Sequence, residues 1–247
     1  MKILFVVPEI RLDSKPTIVP IWAGILASIV ENKNGQVAIL DLNALRMRFG
    51  GKQVPTQVII DEISSQDWDL VGIGGLTTTY GRIKELTPLL KKYAPNALIV
   101  GGGGWSTYNP HEILQLIPVL DLIVLGEGEL TFSELYDELE NGGKDFQKIP
   151  GLCLRDKDTI YKFTQPRALI DDLNTVPYPA YHLFETEIYF EYSAFPILLN
   201  HLIQNDVHLH VGNVDVLGVV LFVHIMECHE LIYKIFMVMV IERKVKN

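Results

Sequence analysis

Cysteine is nearly absent from this 247-residue chain: Cys153 and Cys228 are its two thiols, far apart in sequence. Two isolated thiols make neither a disulfide framework nor a metal-cluster spacing, and they fit a reducing compartment. After the first apolar run comes Pro8-Glu9-Ile10-Arg11-Leu12-Asp13, with no glycines to let a pyrophosphate approach, so the dinucleotide fingerprint is missing; no P-loop pattern occurs either. Glu9 with Asp13 is a poor match to the clustered acids of a phospho-acceptor domain. No Ser/His/Asp or Cys/His catalytic set emerges from residues 1–200. Positive charge is also short, 21 Lys and Arg against 30 Asp and Glu, and the net charge of −9 argues against nucleic acid or an anionic membrane as partner. A local anion site stays open, because backbone N–H groups bind phosphate without basic side chains. The N-terminal apolar run, residues 3–7, is too short for a signal peptide. In the tail Glu227, Glu230 and Lys234 interrupt what a membrane span would need, about 20 apolar residues. The expected location is the cytoplasm.

What is present is an alternation. Apolar runs at 3–7, 37–42, 70–76, 97–100 and 122–125 read as strands. Between them lie helical spacings: Pro20 opens one carrying Ile21, Trp22, Ile25, Leu26 and Ile29, which stops at Asn34-Gly35. Others cover 55–65, the stretch with Ile83, Leu86, Leu89 and Leu90, 111–117, and 130–140 up to Asn141-Gly142-Gly143. Five such alternations predict a doubly wound α/β fold, a five-stranded parallel sheet covered on both faces. Ligands of such sheets bind outside the carboxyl ends of the strands. Residues 151–155 and 159–163 around Asp156-Lys157-Asp158 read as a small hairpin appendage. Residues 169–184, with Asp171, Asp172, Pro177 and Pro179, read as a stiff extended connector rather than a core element. The expected division is 1–145 for the α/β domain, 146–200 for hairpin and connector, and 201–247 for an atypical tail.

Three strand ends carry the chemistry. The third ends in Gly74-Gly75-Leu76-Thr77-Thr78-Thr79-Tyr80, where hydroxyls and free helix-start N–H groups favour an anion or a polar ligand edge. N-capping by threonine explains the same residues equally well. The fourth ends in Gly101-Gly102-Gly103-Gly104 and Trp105-Ser106. Glycine inside an element costs roughly 0.5–1 kcal/mol against alanine, so four together suggest a close approach to the backbone. The fifth ends in Gly126-Glu127-Gly128-Glu129 with Thr131, where the glutamates complement a helix dipole or accept hydrogen bonds from a ligand. Three such ends on neighbouring strands make one lined groove.

The order Lys2-Ile3-Leu4 to Pro8, Asp41-Leu42-Asn43, Val71-Gly72-Ile73 with Thr77-Thr78-Thr79-Tyr80, the four glycines 101–104, and Gly126-Glu127-Gly128-Glu129 with Thr131-Phe132 resembles the cobalamin-binding domain of B12-dependent radical SAM proteins. Ile149-Pro150-Gly151-Leu152, Asp171-Asp172-Leu173 and Val176-Pro177-Tyr178-Pro179-Ala180 resemble the connector to their catalytic barrel, so the resemblance covers 1 to roughly 190. It implies a Rossmann-like, flavodoxin-like fold and a corrinoid partner. The cofactor's nucleotide tail would lie along Thr77, Thr78, Thr79, Gly102, Gly103, Gly126 and Gly128, with the ring near Pro8 and the loop 9–19; Tyr80, Gly101, Gly104, Trp105, Glu127 and Glu129 complete the expected cofactor-binding set. Asp13-Ser14-Lys15-Pro16-Thr17 contains no histidine, so no histidine axial ligand is expected from that loop. The family's Cys-x-x-x-Cys-x-x-Cys triplet is missing; one thiolate in its place cannot hold a [4Fe–4S] cluster, and no such cluster and no catalytic residue are expected in this chain.

Residues 201–247 contain no Pro, Ser, Thr or Ala, and their apolar residues fit neither period cleanly. His208, His210, His224, Cys228 and His229 lack closing spacing and supporting acids, so a metal site is not expected. The composition break suggests departure from an ancestral sequence, through frameshift or truncation. The first reading is therefore a corrinoid-binding protein without catalysis of its own. A nucleotide-sugar-dependent transferase on the same fold, and an interaction module whose apolar tail docks on a partner, are the alternatives.

Overall fold

A computed structural model of the chain describes residues 1–156, 160–192, 209–212 and 220–223. In chain order the elements are β1 (Lys2–Val7), α1 (Ile21–Asn32), β2 (Gln36–Asp41), the single-turn α2 (Leu42–Leu45), α3 (Thr56–Ile63), β3 (Leu70–Gly74), α4 (Tyr80–Tyr93), β4 (Leu98–Gly102), α5 (Pro110–Leu116), β5 (Leu122–Val124), α6 (Glu129–Glu140), β6 (Leu152–Asp156), β7 (Ile160–Phe163) and α7 (Thr186–Tyr192). They build one sheet in the order β2-β1-β3-β4-β5-β6-β7. The first five strands are parallel and the last two antiparallel.

Side chains of a strand alternate between faces, and here both faces are covered. Leu4 and Val6 of β1 enter one core with Val71 and Ile73 of β3 and the buried residues of α3, α4 and α5. Ile3, Phe5 and Val7 enter the other core with Ala23, Ala27 and Val30 of α1 and Phe132, Leu135 and Tyr136 of α6. Helix α1 stops where the sequence says it should, with Asn34 in the left-handed region at φ 59°. Helix α2 has no counterpart in the sequence reading, because one turn leaves no periodicity; it is started by Asp41, whose carboxylate accepts from Asn43 N at 3.1 Å and Ala44 N at 3.2 Å.

The hairpin, expected as an appendage, continues the sheet instead. Leu152 and Leu154 of β6 pair with Val124 and Leu122 of β5. Leu152 and Cys153 are fully buried there, and the Arg155 guanidinium donates to the carbonyls of Leu114, Leu120 and Ile117, closing the end of α5.

The connector, expected to stay out of the core, supplies part of it. Ala180, Phe184 and Tyr189 are buried in the core that contains α1 and α6. Ala180 N donates to Gly24 O at 3.0 Å, Ser28 Oγ donates to Tyr178 O at 2.5 Å, and Tyr189 OH donates to Asp41 Oδ2 at 2.5 Å. Gly24 permits this crossing, since a Cβ there would stand 2.8 Å from Pro179 Cβ. Pro177 and Pro179 stiffen the segment, but its backbone is not extended throughout: it turns in 3-10 form at Leu173–Thr175 and Tyr181–Leu183, and the second turn is flanked by the buried Ala180 and Phe184.

Residues Met1–Ala194 form one compact unit and Phe195–Asn247 a second, in which β8 (Leu209–Gly212) pairs antiparallel with β9 (Val220–Val223). The tail residues His208, His224, Cys228 and His229 lie outside the described residues, and His210 falls in β8. No helix among the described residues is long and apolar enough to cross a membrane. Phe184→Ala is expected to lower the unfolding free energy by about 3 kcal/mol in a urea titration, the loss typical of a buried phenylalanine and far above that of a surface connector residue.

Candidate functional site

Register brings three loops to one level. Gly74 at the end of β3 pairs with Gly102 at the end of β4, and Gly102 pairs with Val124 at the end of β5. The loops 75–79, 103–109 and 125–128 therefore leave the sheet side by side. The strand order reverses between β1 and β3, the place where sheets of this order open a crevice for ligands.

The glycines of these loops divide into two groups. Some make room for the protein itself: a Cβ on Gly74 would stand 2.8 Å from the Trp22 ring, on Gly75 2.3 Å from Thr79 Oγ1, and on Gly101 3.1 Å from the Trp105 ring. Gly103 sits at φ +93°, and a Cβ there would stand 2.7 Å from Gly75 O, so the loops after β3 and β4 touch through bare backbone. The others face space. Nothing lies within 4 Å of a Cβ built on Gly104 or on Gly126, and on Gly102 and Gly128 the nearest atoms belong to Val124, at 3.9 Å and 3.4 Å.

The polar residues divide the same way. Thr79 is buried and its hydroxyl donates to Leu76 O at 2.7 Å, which is local turn chemistry. Thr77 and Thr78 are exposed at the loop surface, with Thr77 Oγ1 only 3.5 Å from Gly104 O. Trp105 is buried, its indole N–H donating to Gly102 O at 2.7 Å, and its ring lies 6.4 Å from that of Tyr80. Pro8 is buried at the end of β1, followed by Glu9, which accepts from Arg82 Nε at 2.7 Å and Val54 N at 3.2 Å. The resemblance groups Pro8, Thr77, Thr78, Thr79, Tyr80 and Trp105 with the ligand; the geometry spends the polar groups of Thr79 and Trp105 on the fold.

The two glutamates differ in their tasks. Glu127 accepts from Ile170 N at 2.7 Å and so ties the connector over the turn after β5. Arg167 reinforces that tie, donating to Thr131 Oγ1 at 2.7 Å and Glu134 Oε2 at 2.6 Å. Glu129 has a buried Oε2 with no hydrogen-bond partner among the described residues. Burial, then the charge of Glu127, holds its carboxyl above the usual carboxylate range. A buried acceptor left unpaired is costly, and a ligand donor would relieve it.

Thr107 and Arg46 are absent from the expected site, and Asn43 enters the resemblance only as part of the motif Asp41-Leu42-Asn43, with no role assigned. Thr107 Oγ1 donates to Gly103 O at 3.1 Å and lies 3.4 Å from Gly126 N, bridging the ends of β4 and β5. Asn43 and Arg46, both buried after β2, face the loop after β1. Only a hydroxyl after a glycine run hints at the first, and nothing local hints at the others. Among the described residues no three His, Cys, Asp or Glu side chains are placed to hold a metal ion. Cys153 is fully buried, which pushes its thiol up to about 11.

Gly103→Ala is expected to destabilise the protein by about 2 kcal/mol, and Gly104→Ala by less than about 0.5, in the same urea titration. Asp41 gives a pH signature. Burial pushes its carboxyl from 3.8 to about 6, against the hydrogen bonds from Tyr189, Ala44 and Asn43. The folded state thus holds this proton more tightly than the unfolded chain, so its contribution to stability is present below 3.8 and fades as pH rises to about 6. Denaturation midpoints measured across that window should lose this downward component in Asp41→Asn.

Comparisons with known proteins place this fold. A family model described as the B12 binding domain matches residues 10–136, just over half of the chain. An uncharacterized methyltransferase of Pyrococcus horikoshii is 31% identical over 193 residues, covering 76% of this chain and 40% of that protein. The anaerobic magnesium-protoporphyrin IX monomethyl ester cyclase of Synechocystis sp. is 39% identical over 105 residues, covering 42% of this chain and 21% of its own length. The chain thus spans less than half the length of these relatives. Among solved structures, the cobalamin-dependent S-adenosylmethionine radical enzyme OxsB with aqua-cobalamin and S-adenosylmethionine bound superposes with a TM-score of 0.64 at 17% identity, over 77% of this chain and 25% of that one, a likeness of fold. This chain belongs to the family of B12-binding domains.

Proposed function

We propose that this chain holds cobalamin at the carboxyl ends of β3, β4 and β5, as the cofactor-holding part of a B12-dependent radical SAM methyltransferase-type protein, with no catalytic group of its own. The observation that carries the reading is the pair of open positions at Gly104 and Gly126, on strand ends that the sheet register sets side by side in a chain of the B12-binding family. The residues present fit the cofactor. Gly102, Gly104, Gly126 and Gly128 leave a cradle without side chains, the hydroxyls of Thr77 and Thr78 border it, and Glu129 Oε2 can accept from an amide of the ligand.

When bound, cobalamin supplies the methyl-transfer chemistry, and the part left to this chain is orientation and exclusion of water. The backbone of the loops after β4 and β5 sets how close the ligand can come. The Glu127 tie to Ile170 fixes the outer wall of the turn after β5. Radical chemistry needs a cysteine triplet, and Cys153 and Cys228 alone do not form one.

Purified protein mixed with hydroxocobalamin and freed of excess ligand should keep the corrinoid absorbance in stoichiometric amount. Gly104→Val, which fills open space and leaves the core untouched, should weaken retention by about tenfold or more without shifting the melting temperature. A colourless wild-type protein overturns the reading, and thermal stabilisation by nucleotide sugars in its place would favour a transferase.

A further inference from the structure

The loop after β1 is long, polar in part, and fastened at many points. Glu9 is tied to Arg82 and Val54 N. Ile10 N lies 3.4 Å from Asn43 Oδ1, and Pro16 and Val19 are buried. Arg46 binds the middle of the loop. It sits in the 3-10 turn after α2, with only 1% of its surface exposed. Its Nη2 donates to Ser14 O, its Nη1 to Gly51 O at 3.0 Å, and its Nε to Asn43 Oδ1 at 3.3 Å. All of its partners among the described residues are carbonyl oxygens. A buried guanidinium without a carboxylate partner is expensive, and a planar fork that reaches carbonyls of two separate loops is a clamp rather than an ion pair.

The clamp leaves three large apolar side chains of that loop in solvent: Ile10 at 40%, Leu12 at 51% and Ile18 at 67% exposed. Leu76, at 58%, stands in the loop after β3, across the β1/β3 reversal of the sheet. Single exposed aliphatics are ordinary, but these four sit in the two loops that flank the crevice.

We infer that Arg46 is a positioning residue of the cofactor site: its buried guanidinium clamps the loop after β1 so that Ile10, Leu12 and Ile18 stand as an apolar wall against the flat face of the ligand. The inference rests on the reading of the chain as a cobalamin holder and adds the element that orients the ring. Fixing the loop in advance removes an ordering cost from binding, and the wall keeps water from the ring's face.

The test is a double-mutant cycle read by cobalamin titration. Arg46→Met removes charge and bonds together and keeps the stem's packing, so the protein should stay folded by circular dichroism. Hydrogen exchange of residues 10–18 should accelerate, and the affinity should fall by about tenfold. Leu12→Ser with Ile18→Ser changes only exposed side chains and should weaken binding by a similar factor. On the Arg46→Met background the same two changes should add little, because the wall is already displaced. Additive losses, or an Arg46→Met protein whose loop exchange and affinity match the wild type, overturn the inference while leaving cobalamin binding itself intact. Should Arg46→Met fail to fold, the Leu12/Ile18 variant decides: unchanged affinity overturns the inference. A wild type that retains no corrinoid removes both the inference and the reading it rests on.

Discussion

Burial of β1 and β3 on both faces is the constraint on which the rest of the molecule depends. From Ile3 onward the side chains of β1 are committed to one core or the other, Leu4 and Val6 on one side, Ile3, Phe5 and Val7 on the other, and those of β3 divide in the same way. β1 and β3 leave no face of the sheet open to a ligand, which is why the proposed site lies at the carboxyl edge. The parallel register then aligns Gly74, Gly102 and Val124 and delivers the loops of that edge together. The edge is made largely of backbone, which suits a large ligand whose periphery carries amides and a phosphate.

Polar groups at this edge are mostly turned inward, to hold loops. Glu9 with Arg82, Arg46 with Ser14 and Gly51, Thr107 between Gly103 and Gly126, and Glu127 with Ile170 each fix one connection. Such bonds contribute modestly to stability one by one, but their loss in a buried place leaves a charge or a donor stranded. Thr77 and Thr78 stay at the surface, and Glu129 has a buried oxygen without a partner among the described residues.

The alternation of strands and helices is legible in the sequence because two-sided burial demands continuous apolar runs, and those are visible without any partner. The glycines are legible only in part. Gly101 and Gly104 look alike in a run of four, yet one makes room for Trp105 and the other for nothing in the protein; Gly74 yields to Trp22, which lies far earlier in the chain. A glycine announces a close approach and not what approaches. Arg46 is invisible for a different reason: its partners are carbonyls, which every residue carries, so no complementary residue type marks them. The prolines of the strap from Tyr178 to Phe184 predict an extended backbone, yet Tyr181–Leu183 turn in 3-10 form, and the destination of Ala180 and Phe184 is set by Gly24 and Ser28 of α1, a match between remote segments.

That strap has a consequence for how the chain acquires its structure. Ser28 meets Tyr178 across 150 positions and Asp41 meets Tyr189 across 148. A ribosome makes α1 and β2 long before it makes the residues that cover them. The face of α1 that receives Ala180 and Phe184 therefore stays uncovered through most of synthesis, and closes only when the last part of this unit emerges. Pairings so distant in sequence are slow to form, and the strap over α1 is the last clasp of this unit that synthesis makes possible.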